Sequence, residues 1–253
     1  MQAATMNEPT AAKPVTKLSA QDMEALGMRT MIEEYTAASA DAVLPEQGNG
    51  PTQRYFRRYA IRLEQAPDVG DEMACRKGCS YCCHTRVAAP PQEVLVLVEA
   101  IERMSPELRT EVAARLAGNV ERMSSPDAAT NSSASQPCAF LGDGGDCSVY
   151  EDRPSNCRRY HSLSLKDCES SFAQPENQKS TIRLSTPQLV VSVSQYLGYR
   201  KLLEQRGLDT AFYELNSALH EALEDPQACR ERYAQGQPAF TRATVTVSHG
   251  SLI

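Results

Sequence analysis

Apolar residues recur at helical spacing over most of the chain, and the breaks between them mark out its elements. Ser19, with Asp22 three residues on, reads as a helix N-cap, and Met28, Ile32, Tyr35 and Ala38 follow at intervals of three and four toward Val43. This pattern predicts a helix over about 20–43. Pro45, Gly48, Gly50 and Pro51 break it, and a second helical stretch carrying Tyr55, Tyr59 and Leu63 runs to Pro67 and Gly70. The two helices form an N-terminal flank over 19–70.

Pro90-Pro91 opens a segment in which Val94, Leu97, Val98 and Ile101 are apolar, and its length and initial prolines favour a helix over a strand. Leu108, Val112, Leu116 and Val120 continue as another helix after Ser105-Pro106, and the pair is expected to pack as a hairpin. Residues 124–136 hold almost no bulky apolar residue and read as a mobile surface loop. Phe140-Leu141 and Cys147-Ser148-Val149-Tyr150 flank a Gly-rich turn and predict a short β-hairpin, with a small helix starting near Pro154. Beyond Pro187, Leu189, Val193, Tyr196 and Leu203, then Phe212, Leu215, Leu219 and Leu223, predict a C-terminal helical region over 185–235 packed on what precedes it.

Residues 1–18 read as a disordered lead-in and 236–253 as a frayed tail. There is no internal repeat and no alternation of strands with helices, which argues against a parallel-sheet enzyme fold. The expected class is therefore mainly α, with helices bracing an irregular cysteine-rich metal-binding knot over 71–170 that contains one short β-hairpin.

Charge narrows the function. The 26 Lys and Arg against 32 Asp and Glu leave a net charge of −6, which excludes a general nucleic-acid binder. No segment approaches the roughly 18 apolar residues that span a bilayer, and the N-terminus lacks a basic start followed by an apolar stretch, so a cytoplasmic protein is expected. Thiols there stay reduced, and the nine cysteines are an odd number, so metal or cluster ligation outranks a disulfide framework.

Eight of those cysteines lie between positions 75 and 168. The first group is Cys75, Cys79, Cys82 and Cys83, in a short loop where Gly78 permits a tight bend. Three ligands of one site fit here, but the adjacent side chains of Cys82 and Cys83 point to different sides, which hints at two sites or a multinuclear cluster. The second group is Cys138, Cys147, Cys157 and Cys168. Eight thiols suffice for two four-thiolate sites, or for one cluster with four sulfurs left over, and their type suits zinc, iron or an iron–sulfur cluster alike. Arg76, Lys77, Arg86, Arg153, Arg158 and Arg159 stand near enough in sequence to offset the thiolate charge.

The spacing Cys75-x3-Cys79-x2-Cys82-Cys83 resembles the motif of the YkgJ-type cysteine-cluster proteins, a family of zinc- or iron-chelating domains. Pro137-Cys138-x-Phe140-Leu141, Cys147-x-Val149-Tyr150-Glu151-x-Arg153-Pro154 and Cys157-Arg158-x-Tyr160 are similar to the family's second half, with Ala139 where a proline is usual. The resemblance covers about residues 70–170. It implies chelation of the metal by all eight cysteines, Cys75, Cys79, Cys82, Cys83, Cys138, Cys147, Cys157 and Cys168, and leaves the catalytic residues unknown. A branch of the family is similar to flagellin lysine-N-methylases, which implies iron–sulfur- and S-adenosylmethionine-dependent protein methylation as an alternative. A zinc-stapled module that binds a protein partner through the helical flanks is the other alternative.

Cys75-x3-Cys79-x-Tyr81-Cys82 also fits the pattern by which radical S-adenosylmethionine enzymes hold an iron–sulfur cluster, but neither flank offers the βα repeats of those enzymes. His84 and His161 are read as surface residues or as second-layer partners of the thiols, His220 as solvated, and Cys229 as a spare thiol in a polar helix. Asp143 to Asp146 serve hairpin geometry, and Tyr196 and Tyr199 serve helix packing.

Overall fold

The structure, a computed structural model, describes residues 17–41, 49–70, 72–76, 78–124, 136–174 and 181–243. Its helices are α1 (Ala20–Ala40), α2 (Gly50–Gln65), α3 (Pro91–Glu102), α4 (Pro106–Ser124), α5 (Ser155–Arg158), α6 (Leu165–Ala173), α7 (Thr186–Gln205), α8 (Leu215–Glu224) and α9 (Pro226–Ala234). The mainly helical class is as expected. Among the described residues one sheet forms, from β1 (Ala88–Ala89) and β2 (Tyr213–Glu214), antiparallel with Ala88 opposite Glu214.

Helix α1 starts where its cap predicts. Ser19 Oγ accepts from the Asp22 N–H at 3.1 Å, and the Asp22 carboxylate accepts from the Ser19 N–H at 2.8 Å. The end expected near Val43, with Pro45 and Gly48, falls outside the described residues. Gly50 and Pro51, read as breakers, instead open α2, where a proline without an N–H costs nothing in the first turn. Most of the predicted lead-in and of the 124–136 loop also lies outside the described residues.

Three expectations need correction. Helices α3 and α4 do not form a hairpin; both pack on α8, because α3 is apolar on nearly every side and must be covered all round. The predicted hairpin at 140–149 reduces to a single antiparallel bridge between Leu141 and Cys147. The tail is not frayed at its start: Ala239 and Phe240 are buried, and the Glu221 carboxylate accepts the backbone N–H groups of Thr241, Arg242 and Ala243 at 2.7–2.9 Å. Helix α6 has no counterpart in the sequence reading. Its signal is Ser164, whose Oγ caps the Asp167 N–H at 3.1 Å.

The frame is closed by α1 lying along α7. Gly198 allows the approach, since a side-chain carbon there would collide with the Met31 carbonyl oxygen. Where α2 joins this pair, the fully buried Glu34 of α1 receives Arg58 at 2.7 Å, Arg62, and Gln195 of α7 at 3.2 Å. In the main core Tyr55 of α2 stacks on Tyr199 of α7 at 4.3 Å and Leu97, Ile101, Leu116, Leu203 and Leu219 fill the space toward α3, α4 and α8, while Leu26, Ala66 and Val191 form a smaller cluster beside it. Among the described residues no helix is long and apolar enough to cross a membrane.

Candidate metal centre

The cysteine region is held on this core by turns rather than by regular structure. Between Ala74 and His84 the chain makes two tight turns, with the Cys79 N–H donating to Arg76 O at 3.0 Å and the Cys83 N–H to Ser80 O at 2.8 Å. Gly78 sits at φ 82° in the first of them, and residues Tyr81–His84 form a 3-10 turn. Each end of this segment is pinned to the second half of the motif: the Ala74 N–H donates to Ser162 O at 2.8 Å, and the Cys138 N–H donates to Cys83 O at 2.7 Å.

The two cysteine groups of the sequence are interleaved in space. Cys75 and Cys168 meet at Ser162: the Cys75 sulfur accepts the Ser162 N–H, and the Cys168 thiol donates to Ser162 Oγ, each at 3.2 Å. Burial pushes the Cys75 thiol pKa up, and the nearby sulfurs of Cys79, Cys82 and Cys168 add to the effect. A second set gathers around Cys157. Burial raises the Cys138 thiol to about 11, with Cys147 and Cys82 as neighbours. It raises the Cys157 thiol further still, with Cys138, Cys82 and Cys147 around it. Cys82 neighbours both sets, its thiol raised first by the contact with Cys83 and then by burial.

Two of the predicted cations are in place. Burial raises the Cys147 and Cys157 thiols; Arg153 opposes this at both and Arg158 at Cys147, Arg153 with its guanidinium 3.6 Å above the Tyr150 ring and Arg158 with its own 4.6 Å above Phe56. Lys77 lies outside the described residues. His84 faces its own loop, Nδ1 at 3.1 Å from Ser80 O and its ring edge-on to Phe172 at 4.9 Å. Burial holds His161 below the ordinary imidazole value, and its Nε2 meets no partner among the described residues.

Cys229, read as a spare thiol in a polar helix, lies buried. It is 1% exposed in the main core and accepts a hydrogen bond from Arg232 at 3.2 Å, because α9 turns its apolar side inward. All nine cysteines are free of disulfides. Eight reduced thiols in one region form a soft donor set that suits zinc or iron and not magnesium or calcium. Among the described residues no three His, Cys, Asp or Glu side chains stand at the spacing a metal ion requires, so closing either set on an ion calls for side-chain rotation.

Residues 74–182 match the CxxCxxCC family model, described as "Putative zinc- or iron-chelating domain". This stretch, under half of the chain, is similar to that domain family. The match takes in all eight clustered cysteines and α3 to α6, and it leaves α1, α2, α7, α8 and α9 outside. It is the cysteine-cluster family that the sequence motif resembles. No curated protein and no solved structure matches the chain.

Proposed function

We propose that the CxxCxxCC domain holds zinc or iron in a centre of more than one ion, built from two interleaved thiolate sets. Cys75, Cys79 and Cys168 form one set and Cys138, Cys147 and Cys157 the other, with the adjacent Cys82 and Cys83 completing them. The observation that carries this reading is the position of Cys82, which neighbours both sets while its own partner Cys83 hangs on the Cys138 backbone. A single tetrahedral ion takes four thiolates and leaves such a bridging pair without purpose, whereas a two-ion or iron–sulfur centre uses it. Iron as a cluster is the form we favour, with metal handling or electron transfer as the role. The radical-enzyme reading gains nothing from the fold, since the described strands are two residues long and no βα repeat surrounds the cysteines among the described residues.

Anaerobic purification followed by elemental and acid-labile sulfide analysis tests this. Brown protein with iron and sulfide supports the cluster, and colourless protein with more than one zinc supports a zinc form of the same centre. Cys79→Ser and Cys157→Ser each lower the bound metal markedly, and Cys229→Ser leaves it unchanged. One ion per chain, lost with Cys79→Ser and untouched by Cys157→Ser, refutes the two-set arrangement.

A further inference from the structure

Behind the second set lies a buried carboxylate that neither the family motif nor the proposed centre uses. Glu93, in the first turn of α3, has no exposed surface. Its Oε2 accepts the Ser155 N–H at 2.8 Å and its Oε1 accepts the Ser155 hydroxyl at 2.6 Å. The same hydroxyl lies 2.8 Å from the Tyr55 hydroxyl, and the Ser155 carbonyl receives Tyr59 at 3.5 Å. Ser155 is thus held from α3 and from α2 at once.

The rest of α5 is held as tightly. Asn156 Nδ2 donates to Ala88 O at 2.6 Å. The Arg158 guanidinium donates to Arg153 O at 2.6 Å and also to Glu151 O. In this four-residue turn Ser155 is anchored to α2 and α3, Asn156 to β1 and Arg158 to the loop that precedes the turn, while Cys157 is buried with Cys138, Cys82 and Cys147 as neighbours. A turn this short, closed by three backbone hydrogen bonds, has no stability of its own, so its place depends on these anchors. Glu93 holds Ser155 twice, one oxygen on its N–H and the other on its hydroxyl, so the backbone and the side chain of the turn's first residue are fixed by one group.

We propose that Glu93 is the positioning residue for Cys157, its carboxylate gripping Ser155 so that the thiol two residues on is held toward Cys138, Cys147 and Cys82. This rests on the reading of the knot as a metal centre. The acid is not a ligand: it fixes the turn that carries one, as outer partners fix metal ligands elsewhere.

Two readouts test it on the full chain, reduced and freed of metal. The first is alkylation by iodoacetamide, mapped to each cysteine by mass spectrometry, which requires no metal. Glu93→Ala should speed alkylation of Cys157 several-fold relative to Cys75, and Glu93→Gln should stay close to the wild type, because an amide still accepts the Ser155 N–H and meets its hydroxyl. The second is the sulfur-to-metal charge-transfer absorption on titration with Co2+. Glu93→Ala should lose as much of it as Cys157→Ser, and combining the two should lose no more than Cys157→Ser alone.

Wild-type rates at Cys157 in Glu93→Ala, or equal acceleration at all eight thiols in both Glu93 variants, would overturn the proposal. Should Glu93→Ala fail to fold, Ser155→Ala removes only the hydroxyl contact and should still raise the Cys157 rate about twofold to threefold; no change there overturns it equally. A wild-type protein that takes up no Co2+ refutes the metal reading and leaves the alkylation result to decide the grip on Cys157.

Discussion

Gly145 packs against the carbonyl of Gly78, so closely that a side-chain carbon at 145 would lie 2.8 Å from that oxygen. Both glycines have positive φ, 77° and 82°. The contact joins the turn between Leu141 and Cys147 to the turn between Cys75 and Cys79. It is one of the points at which the two halves of the motif become one body.

The pair makes a differential prediction. Gly145→Ala meets both the unfavourable φ and the collision and should cost about 2–3 kcal/mol, whereas Gly78→Ala, with open space around it, should cost only about 1 kcal/mol. Urea unfolding of the two variants measures the difference. Equal losses would mean that the two turns do not touch.

Metal removal should act on the knot before the frame. On the proposed assignment, ligands as distant in sequence as Cys75 and Cys168 close a long loop through a shared centre, and much of the binding free energy is then folding free energy. Hydrogen exchange with a strong chelator should accelerate by roughly tenfold or more across 74–182, outside the α3 core, and should leave α1 and α7 protected. Unchanged exchange across the knot would make the metal peripheral.

Stability should also depend on pH through Glu93. Burial lifts its pKa from 4.5 to about 7, against the hydrogen bonds from Ser155 and the charge of Arg158. Tyr55 and Tyr59 of α2 and Tyr196 and Tyr199 of α7 are the other titratable groups that feel its charge. The folded value is the higher one, so this contribution is complete below pH 4.5, fades as the pH rises toward 7, and is gone above it. The stability of wild type relative to Glu93→Gln should fall over that range by roughly 3 kcal/mol, read from urea melts. A difference that rises with pH would reverse the assignment.

Glu34 offers a control in the frame. Its removal in Glu34→Ala leaves Arg58 and Arg62, each no more than a fifth exposed, without the buried carboxylate they share. The expected cost is about 3–5 kcal/mol in chemical unfolding, with the metal content of the folded protein unchanged. Loss of metal from folded Glu34→Ala would show that frame and knot are not separable.

Legibility in the sequence followed the range of the interactions. Helix α1 was readable because Ser19 and Asp22 are three residues apart, and α3 because a run from Val94 to Ile101 admits few alternatives. The partner of α4 was not readable: nothing near Val112 or Leu116 says that they face Leu219 rather than Leu97. The pairing of Ala88 with Glu214 was hidden for the same reason, since two-residue strands carry no alternation of their own. Spacing alone identified all eight cysteines of the matched domain, yet it sorted them into sequential groups, while Ser162 brings Cys168 to Cys75. Glu93 carries no sequence signal, because an acid in the first turn of a helix is ordinary and only its burial and its hold on Ser155 set it apart.

The pairing of α1 with α7 has a further consequence at the ribosome. Synthesis makes α1 first and its partner only after residue 186, so at about 5–20 residues per second the first helix waits on the order of ten seconds for the surface it will cover. Its apolar positions, Leu26 and Ala38 toward the core and Met28 and Ile32 on the outside, are exposed to other molecules during that interval. The knot is translated within the same interval, and its cysteines emerge in order from Cys75 to Cys168 before the frame closes. Metal loading is therefore open to begin on a nascent chain, with closure of α7 over α1 as the later event.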